Sequence, residues 1–199
     1  MATTLLSSSF RMRTREDLKT LALADTQRAL NTMTREIGNA GYSLKSNGIL
    51  AAQSSNAGVT VLSDYNENNA WDADEIVSFQ LANNPNTGKN SLVRYALDDA
   101  GDVITTGTVL AENVDSLKVR YYGQRQNYET GTCDVDDASQ AAVTTPEKAQ
   151  YLVLVICATL PAVGQPNSPG YQPASSVQLV SDVTLRNSLA LTNSALPKY

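Results

Sequence analysis

Between Arg15 and Gly41 apolar residues recur at intervals of three and four. Leu23, Thr26, Leu30, Met33, Ile37 and Ala40 form one stripe, and Arg28, Asn31, Arg35 and Asn39 lie off it. Leu18, Leu21 and Ala22 broaden the apolar face at its N-terminal end. The stretch has no proline and no glycine before Gly38, and Gly38 and Gly41 stand where a helix should stop. The spacing predicts a helix over residues 15–41.

After Tyr42 the pattern changes to short β-rich runs parted by proline, glycine and asparagine. VTVLS (59–63) reads as a strand. EIVSFQLA (75–82) places Val77, Phe79 and Leu81 on one face, and SLVRYAL (91–97) does the same with Val93, Tyr95 and Leu97. NNPNTGKN between them is a turn, so 75–97 reads as a hairpin. VITTGTVLA (103–111) and SLKVRYYG (116–123) read as two further strands. YLVLVICATL (151–160) is apolar throughout, as a central strand buried on both faces would be, and VQLVSDVTLRN (177–187) closes the series. Two polar connections, 124–147 and 161–176, exceed ordinary loop lengths and are expected to be functional or mobile. The fold class predicted is α+β, a long N-terminal helix packed on an antiparallel β-sheet. Its helix would span 15–41 and its β-rich part 55–190.

Composition narrows the function. The chain has 199 residues and a formal net charge of −5, which argues against nucleic acid as a partner. Residues 1–45 carry seven Lys/Arg against four Asp/Glu, and the remainder eight against sixteen, so a basic start precedes an acidic body. The chain has no histidine, which removes His-based catalysis and His-ligated metals. Two cysteines, Cys133 and Cys157, can form one disulfide, implying an oxidising compartment, or remain as two thiols with one of them buried. The first residues lack an apolar run long enough for a signal peptide, and no stretch is long and apolar enough to span a bilayer.

One stretch carries candidate chemistry. DYNENNAWDADE (64–75) holds five carboxylates and three asparagines in twelve residues. A calcium loop of this length places oxygen ligands at positions 1, 3, 5, 7, 9 and 12. Counted from Asp64 these are Asp64, Asn66, Asn68, Ala70, Asp72 and Glu75, with Ala70 supplying a backbone carbonyl. Asn69 takes the place of the usual glycine and tolerates a left-handed turn. The same residues suit a plain hydrophilic connection between strands. Asp98, Asp99 and Asp102 read as a turn, and Asp134, Asp136 and Asp137 as a solvated loop.

Four features follow in order: REIGNAGYSL (35–44), VTVLSDYNENNAWDADEIVSFQL (59–81), SLVRYALD (91–98) and TGTVLAENVDSLKVRYYG (106–123), before a closing VTLRNSL (183–189). This order resembles the PilW-like minor pilins of type IV pili and is similar to the J-type minor pseudopilin of type II secretion. The matching positions are Arg35, Ala40, Gly41 and Tyr42 at the helix end, then Leu110, Val114, Ser116, Leu117, Val119 and Tyr121. Thr184, Leu185, Arg186 and Asn187 match the family's last strand. The family's prepilin cleavage site and the hydrophobic helix behind it are not among these residues. The resemblance implies that the protein was cut just after that helix, residues 1–14 being its exit from the membrane, with Arg11, Arg13 and Arg15 just beyond the apolar part. It further implies a periplasmic and inner-membrane subunit that ends in a cell-surface filament. Its expected partners are other minor pilins or pseudopilins and a tip adhesin, and its task is to initiate or cap the filament without catalysis.

Two other readings stand beside this one. A secreted β-rich adhesion module would also account for the strands. A carbohydrate-active enzyme could use paired carboxylates with Trp71, Tyr121, Tyr122 and Tyr128. No G-x-S-x-G, P-loop or G-x-G-x-x-G occurs, which weighs against the enzyme.

Overall fold

The computed structural model describes residues 2–68, 72, 75–84, 88–104, 106–125, 127–131, 133–136 and 144–187. Helix α1 (Ala2–Gly38) precedes β1 (Gly58–Leu62), β2 (Ile76–Asn84), β3 (Lys89–Leu97), β4 (Thr108–Tyr122), β5 (Glu129–Thr130), β6 (Val135–Asp136), β7 (Tyr151–Leu160) and β8 (Ser175–Thr184). Six strands form an antiparallel sheet in the order β1-β2-β3-β4-β7-β8, and β5 and β6 pair separately. The α+β arrangement read from the sequence, one long helix on an antiparallel sheet, is the one observed.

The helix is longer than its apolar stripe. It runs for 37 residues, about 55 Å, and begins well before Arg15. Residues 2–14 are therefore continuous with it; they contain no proline or glycine to interrupt the backbone hydrogen bonds. The helix stops at Gly38, three residues short of the expected end. There the chain turns so that Gly41 N–H donates to the Leu62 carbonyl at 2.9 Å. Gly41 and Gly48 both have positive φ, +76° and +75°, and a Cβ on Gly48 would come within 2.0 Å of Gly41 N. Two backbones cross there at a distance only glycine allows.

Thr26, Leu30, Met33, Ile37 and Ala40 are buried as the stripe predicts, together with Ala29. They meet Val59, Phe79, Leu117, Leu152, Leu154 and Ile156 of the sheet. Thr26 hides its hydroxyl by donating to the Ala22 carbonyl one turn back. An ion pair between Arg94 Nε and Glu36 Oε2, 2.8 Å, ties helix to sheet beside this core. Leu18 and Leu21 depart from the expectation: they are 37% and 60% exposed. The β7–β8 connection lies alongside this stretch, and Arg11 and Arg15 face it instead.

The two strands expected at 103–111 and 116–123 are one, β4, of 15 residues starting at Thr108. Asn113, at φ 57°, absorbs an irregularity between Val114 and Ser116, so the polar run AENVD bends the strand without ending it. Val103 makes only an isolated bridge to Leu97. The hairpin of β2 and β3 forms as expected, with Asn84 opposite Lys89.

Strand β7 coincides with YLVLVICATL and is buried at every position but Thr159. It lies between β4 and β8, one strand in from the edge and not at the centre. Leu152, Leu154 and Ile156 face the helix, and Val153 and Val155 join Tyr122 and Tyr151 in a second cluster on the opposite face. Cys157, on that opposite face, is bonded to Cys133, so the disulfide reading holds. The bridge ties Cys133, just ahead of β6, to β7. Its neighbour Asp134 pairs with Arg120 at 3.0 Å, and Cys133 N–H donates to Gln178 Oε1 at 2.7 Å. Replacing both cysteines with alanine should lower stability by about 3–4 kcal/mol, the chain-entropy value for a loop of this length. A denaturant midpoint unchanged from the disulfide-bonded protein would refute this.

Candidate functional site

The connection from β1 to β2 folds around two buried carboxylates. Asp64 is 1% exposed and Glu75 5%. Glu75 Oε1 accepts from the backbone N–H groups of Tyr65 (2.9 Å) and Asn66 (3.3 Å), and Oε2 from that of Asp72 (3.2 Å). Asp64 Oδ1 accepts from Asn68 N–H at 3.1 Å. The side-chain amides of Asn66 and Asn68 both donate to Asp72 Oδ2, at 2.6 and 2.7 Å. Five of the six positions picked out by calcium-loop spacing, Asp64, Asn66, Asn68, Asp72 and Glu75, are thus joined in one network; the sixth, Ala70, lies outside the described residues.

The network works in two ways. The carboxylates cap backbone N–H groups that the turn would otherwise leave unpaired. Meanwhile the asparagine amides direct their N–H groups at Asp72, where a cation would place its charge. A cation entering would need both amides to turn over and present oxygen. Among the described residues no group of three or more Asp, Glu or Cys side chains is disposed to hold a metal ion. Glu67, outside the ligand spacing, accepts from the Tyr42 hydroxyl at 3.1 Å, and the rings of Tyr42 and Tyr65 stack with centroids 6.0 Å apart. That hydrogen bond and the nearby Glu67 charge raise the Tyr42 pKa. Trp71 and Asp74 lie outside the described residues.

A polar cleft of about 240 Å³ opens beside this loop, lined by Arg35, Glu36, Asn39, Ser63, Glu75 and Arg94 among others. Its groups are already engaged. Glu36 pairs with Arg94, Glu75 holds three backbone N–H groups, and the Ser63 hydroxyl donates to the Asn39 carbonyl at 3.1 Å. The other acidic clusters behave as turns and ties. Asp98 Oδ1 accepts from Ala100 and Asp102 N–H, and Asp134 is bound to Arg120. Asp137 lies outside the described residues.

The contacts that sequence reasoning missed lie on the first half of the helix. Arg15 is 7% exposed, and its guanidinium donates to the carbonyls of Leu160, Pro161 and Pro173 and to the Ser175 hydroxyl. Arg11 donates to Ser168 Oγ at 2.8 Å and to the Pro169 carbonyl at 3.0 Å. The 161–176 stretch, expected to be functional or mobile, is thereby fixed to the helix, and its last two residues belong to β8. Backbone carbonyls leave no trace in a sequence, so no signal pointed to this clamp. Among the described residues no helix is long and apolar enough to cross a membrane.

No family model matches the chain, and no curated protein matches it. Among solved structures, a type IV-like pilin from Thermus thermophilus aligns with 83% of this chain and 97% of its own, at 14% identity and a TM-score of 0.45. A likeness at that level carries no argument about family or function, and the reading below is drawn from the chain itself.

Exchanging Glu75 for Gln replaces one accepting oxygen with a donor and leaves at least one buried N–H unpaired. The loss should be about 1–3 kcal/mol in calcium-free buffer. Thermal melts of Glu75→Gln with and without chelator check this; an unchanged melting temperature in chelator counts against a network that closes on its own.

Proposed function

We propose that the protein is a pilin-type structural subunit, of the PilW-like minor pilin or J-type pseudopilin kind, that acts by contacts with other subunits and not by catalysis. The observation that carries this reading is the division of labour along α1. Its second half is the spine of the core, while its first half presents Phe10, Met12, Leu18 and Leu21 to solvent. Apolar side chains left on an open helix surface suit a region that another subunit covers. The order of the helix-end and strand motifs supports the same reading, and so does a disulfide, which suits an oxidising compartment such as the periplasm. In this role the protein would help to initiate or cap a filament, anchored in the inner membrane through a hydrophobic helix upstream, and would meet other minor pilins and a tip adhesin. Deleting its gene should abolish or sharply reduce surface pili or pseudopilus-dependent secretion. Normal piliation together with normal secretion would overturn the proposal.

We further propose a structural calcium ion in the 64–75 loop, supported by the convergence of Asp64, Asn66, Asn68, Asp72 and Glu75. Its role is to steady the β1–β2 connection, not to perform chemistry. Millimolar calcium should raise the melting temperature of the wild type and leave that of Asp72→Ala unchanged. A titration with no heat and no shift in melting temperature would exclude the ion.

A further inference from the structure

The groups of the polar cleft beside the 64–75 loop are engaged but not exhausted: their ties spend acceptors faster than donors. Glu75 commits both oxygens to three backbone N–H groups, and the Asn39 carbonyl accepts from the Ser63 hydroxyl. Glu36 Oε2 takes a single N–H of Arg94, at 2.8 Å. A guanidinium carries five N–H groups, and among the described residues the other four of Arg94 have no acceptor. Arg35 lines the same cleft from the end of α1, with its side chain 73% exposed. It comes no nearer to Glu36 than 3.9 Å, beyond hydrogen-bond reach. Asn39 Oδ1 accepts from Arg186 at 3.3 Å, while among the described residues the N–H groups of the same amide have no acceptor.

The acidic loop next door does not reverse this balance, because its carboxylates are turned to donors of their own. Asp64 accepts from Asn68 N–H, Asp72 from the amides of Asn66 and Asn68, and Glu67 from the Tyr42 hydroxyl. Two guanidiniums with unspent donors, Arg35 on the helix and Arg94 on β3, thus line one space of about 240 Å³. A carboxylate, with two oxygens in one plane, matches such donor forks. A phosphate would bring more negative charge against Glu36 and Glu75 and fits less well.

The remaining walls limit what carries the carboxylate. The space is smaller than the roughly 300–1,000 Å³ of pockets for drug-sized molecules, so it suits a single ring. Val61 and Val77 are apolar, and Tyr65, more than half exposed, offers an aromatic surface for a flat ring face. Ser63, Asn39 and Glu36 Oε1 are polar partners for hydroxyl groups. A plain aromatic acid would cover them and leave them unpaired.

We infer that this cleft binds a sugar acid, one pyranose ring bearing a carboxylate, with Arg35 and Arg94 holding the carboxylate and Tyr65 against the ring. The inference rests on the cleft alone. It requires neither the filament-subunit reading nor a calcium ion in the neighbouring loop.

NMR titration of the isotope-labelled 199-residue chain with sodium glucuronate tests it. The buffer is calcium-free and low in salt, since salt screens exposed guanidinium groups. Glucuronate should shift the Arg35, Tyr65 and Arg94 signals saturably, with a dissociation constant of about 1 mM, as expected for a ligand of this size. Glucose and benzoate should each bind at least about tenfold more weakly. Arg35→Gln should weaken glucuronate binding by at least about tenfold. Arg35 is exposed and holds no hydrogen bond among the described residues, so an unchanged melting temperature will show that the variant folds. Absence of a saturable shift up to roughly 20 mM glucuronate overturns the inference. Equal binding of glucose overturns it too, since the guanidiniums would then be idle, and equal binding of benzoate does so because the hydroxyl groups would be. Undiminished binding by Arg35→Gln, or binding that appears only when calcium is added, also overturns it.

Discussion

A strand buried on both faces demands a cover on each, and β7 imposes that demand here. Leu152, Leu154 and Ile156 need an apolar layer on one side, and Val153 and Val155 need one on the other. The first is met by a whole helix, whose Leu30, Met33 and Ile37 are fully or almost fully removed from water. Among the described residues no helix lies on the second. It is met by Tyr122 and Tyr151 with a loop held down by a disulfide. A loop is a poor lid, since its backbone polar groups need partners and its entropy resists fixation. Cys133–Cys157, Asp134–Arg120 and the Gln178 contacts offset those costs at one place.

The polar ties serve the same end. Tyr121, buried at the far end of β4, donates its hydroxyl to the carbonyls of Ser55 and Gly58. Burial pushes its pKa up. Asn47 donates to the carbonyls of Pro146 and Ala149 and accepts from Ile49 N–H. Each binds an irregular segment to the sheet by saturating backbone groups that no strand reaches. The 64–75 network belongs to this set, whether or not a cation joins it.

The elements that announced themselves were those whose pattern and burial agree. Leu30, Met33 and Ile37 at helical spacing, and the unbroken YLVLVICATL, could be read because one periodicity meant one environment. The merger of β4 could not be read, because Asn113 takes up a left-handed conformation that turns an apparent break into a bulge. Leu18 and Leu21 continue the apolar pattern into a region where the sheet does not cover them; burial depends on what lies opposite, which periodicity does not encode. The 64–75 ligand spacing was legible and does bring its described residues together, but spacing cannot tell which way an amide faces.

Arg15 sets a different kind of limit on how the molecule can respond to its surroundings. Its buried charge is held by three carbonyls and a hydroxyl, none of which gains or loses a proton in ordinary media. At the other end of the helix the Glu36–Arg94 ion pair is partly open to solvent, and dissolved salt screens it. One end of α1 is therefore tied to the body by a contact that ionic strength tunes, and the other by one that it hardly touches.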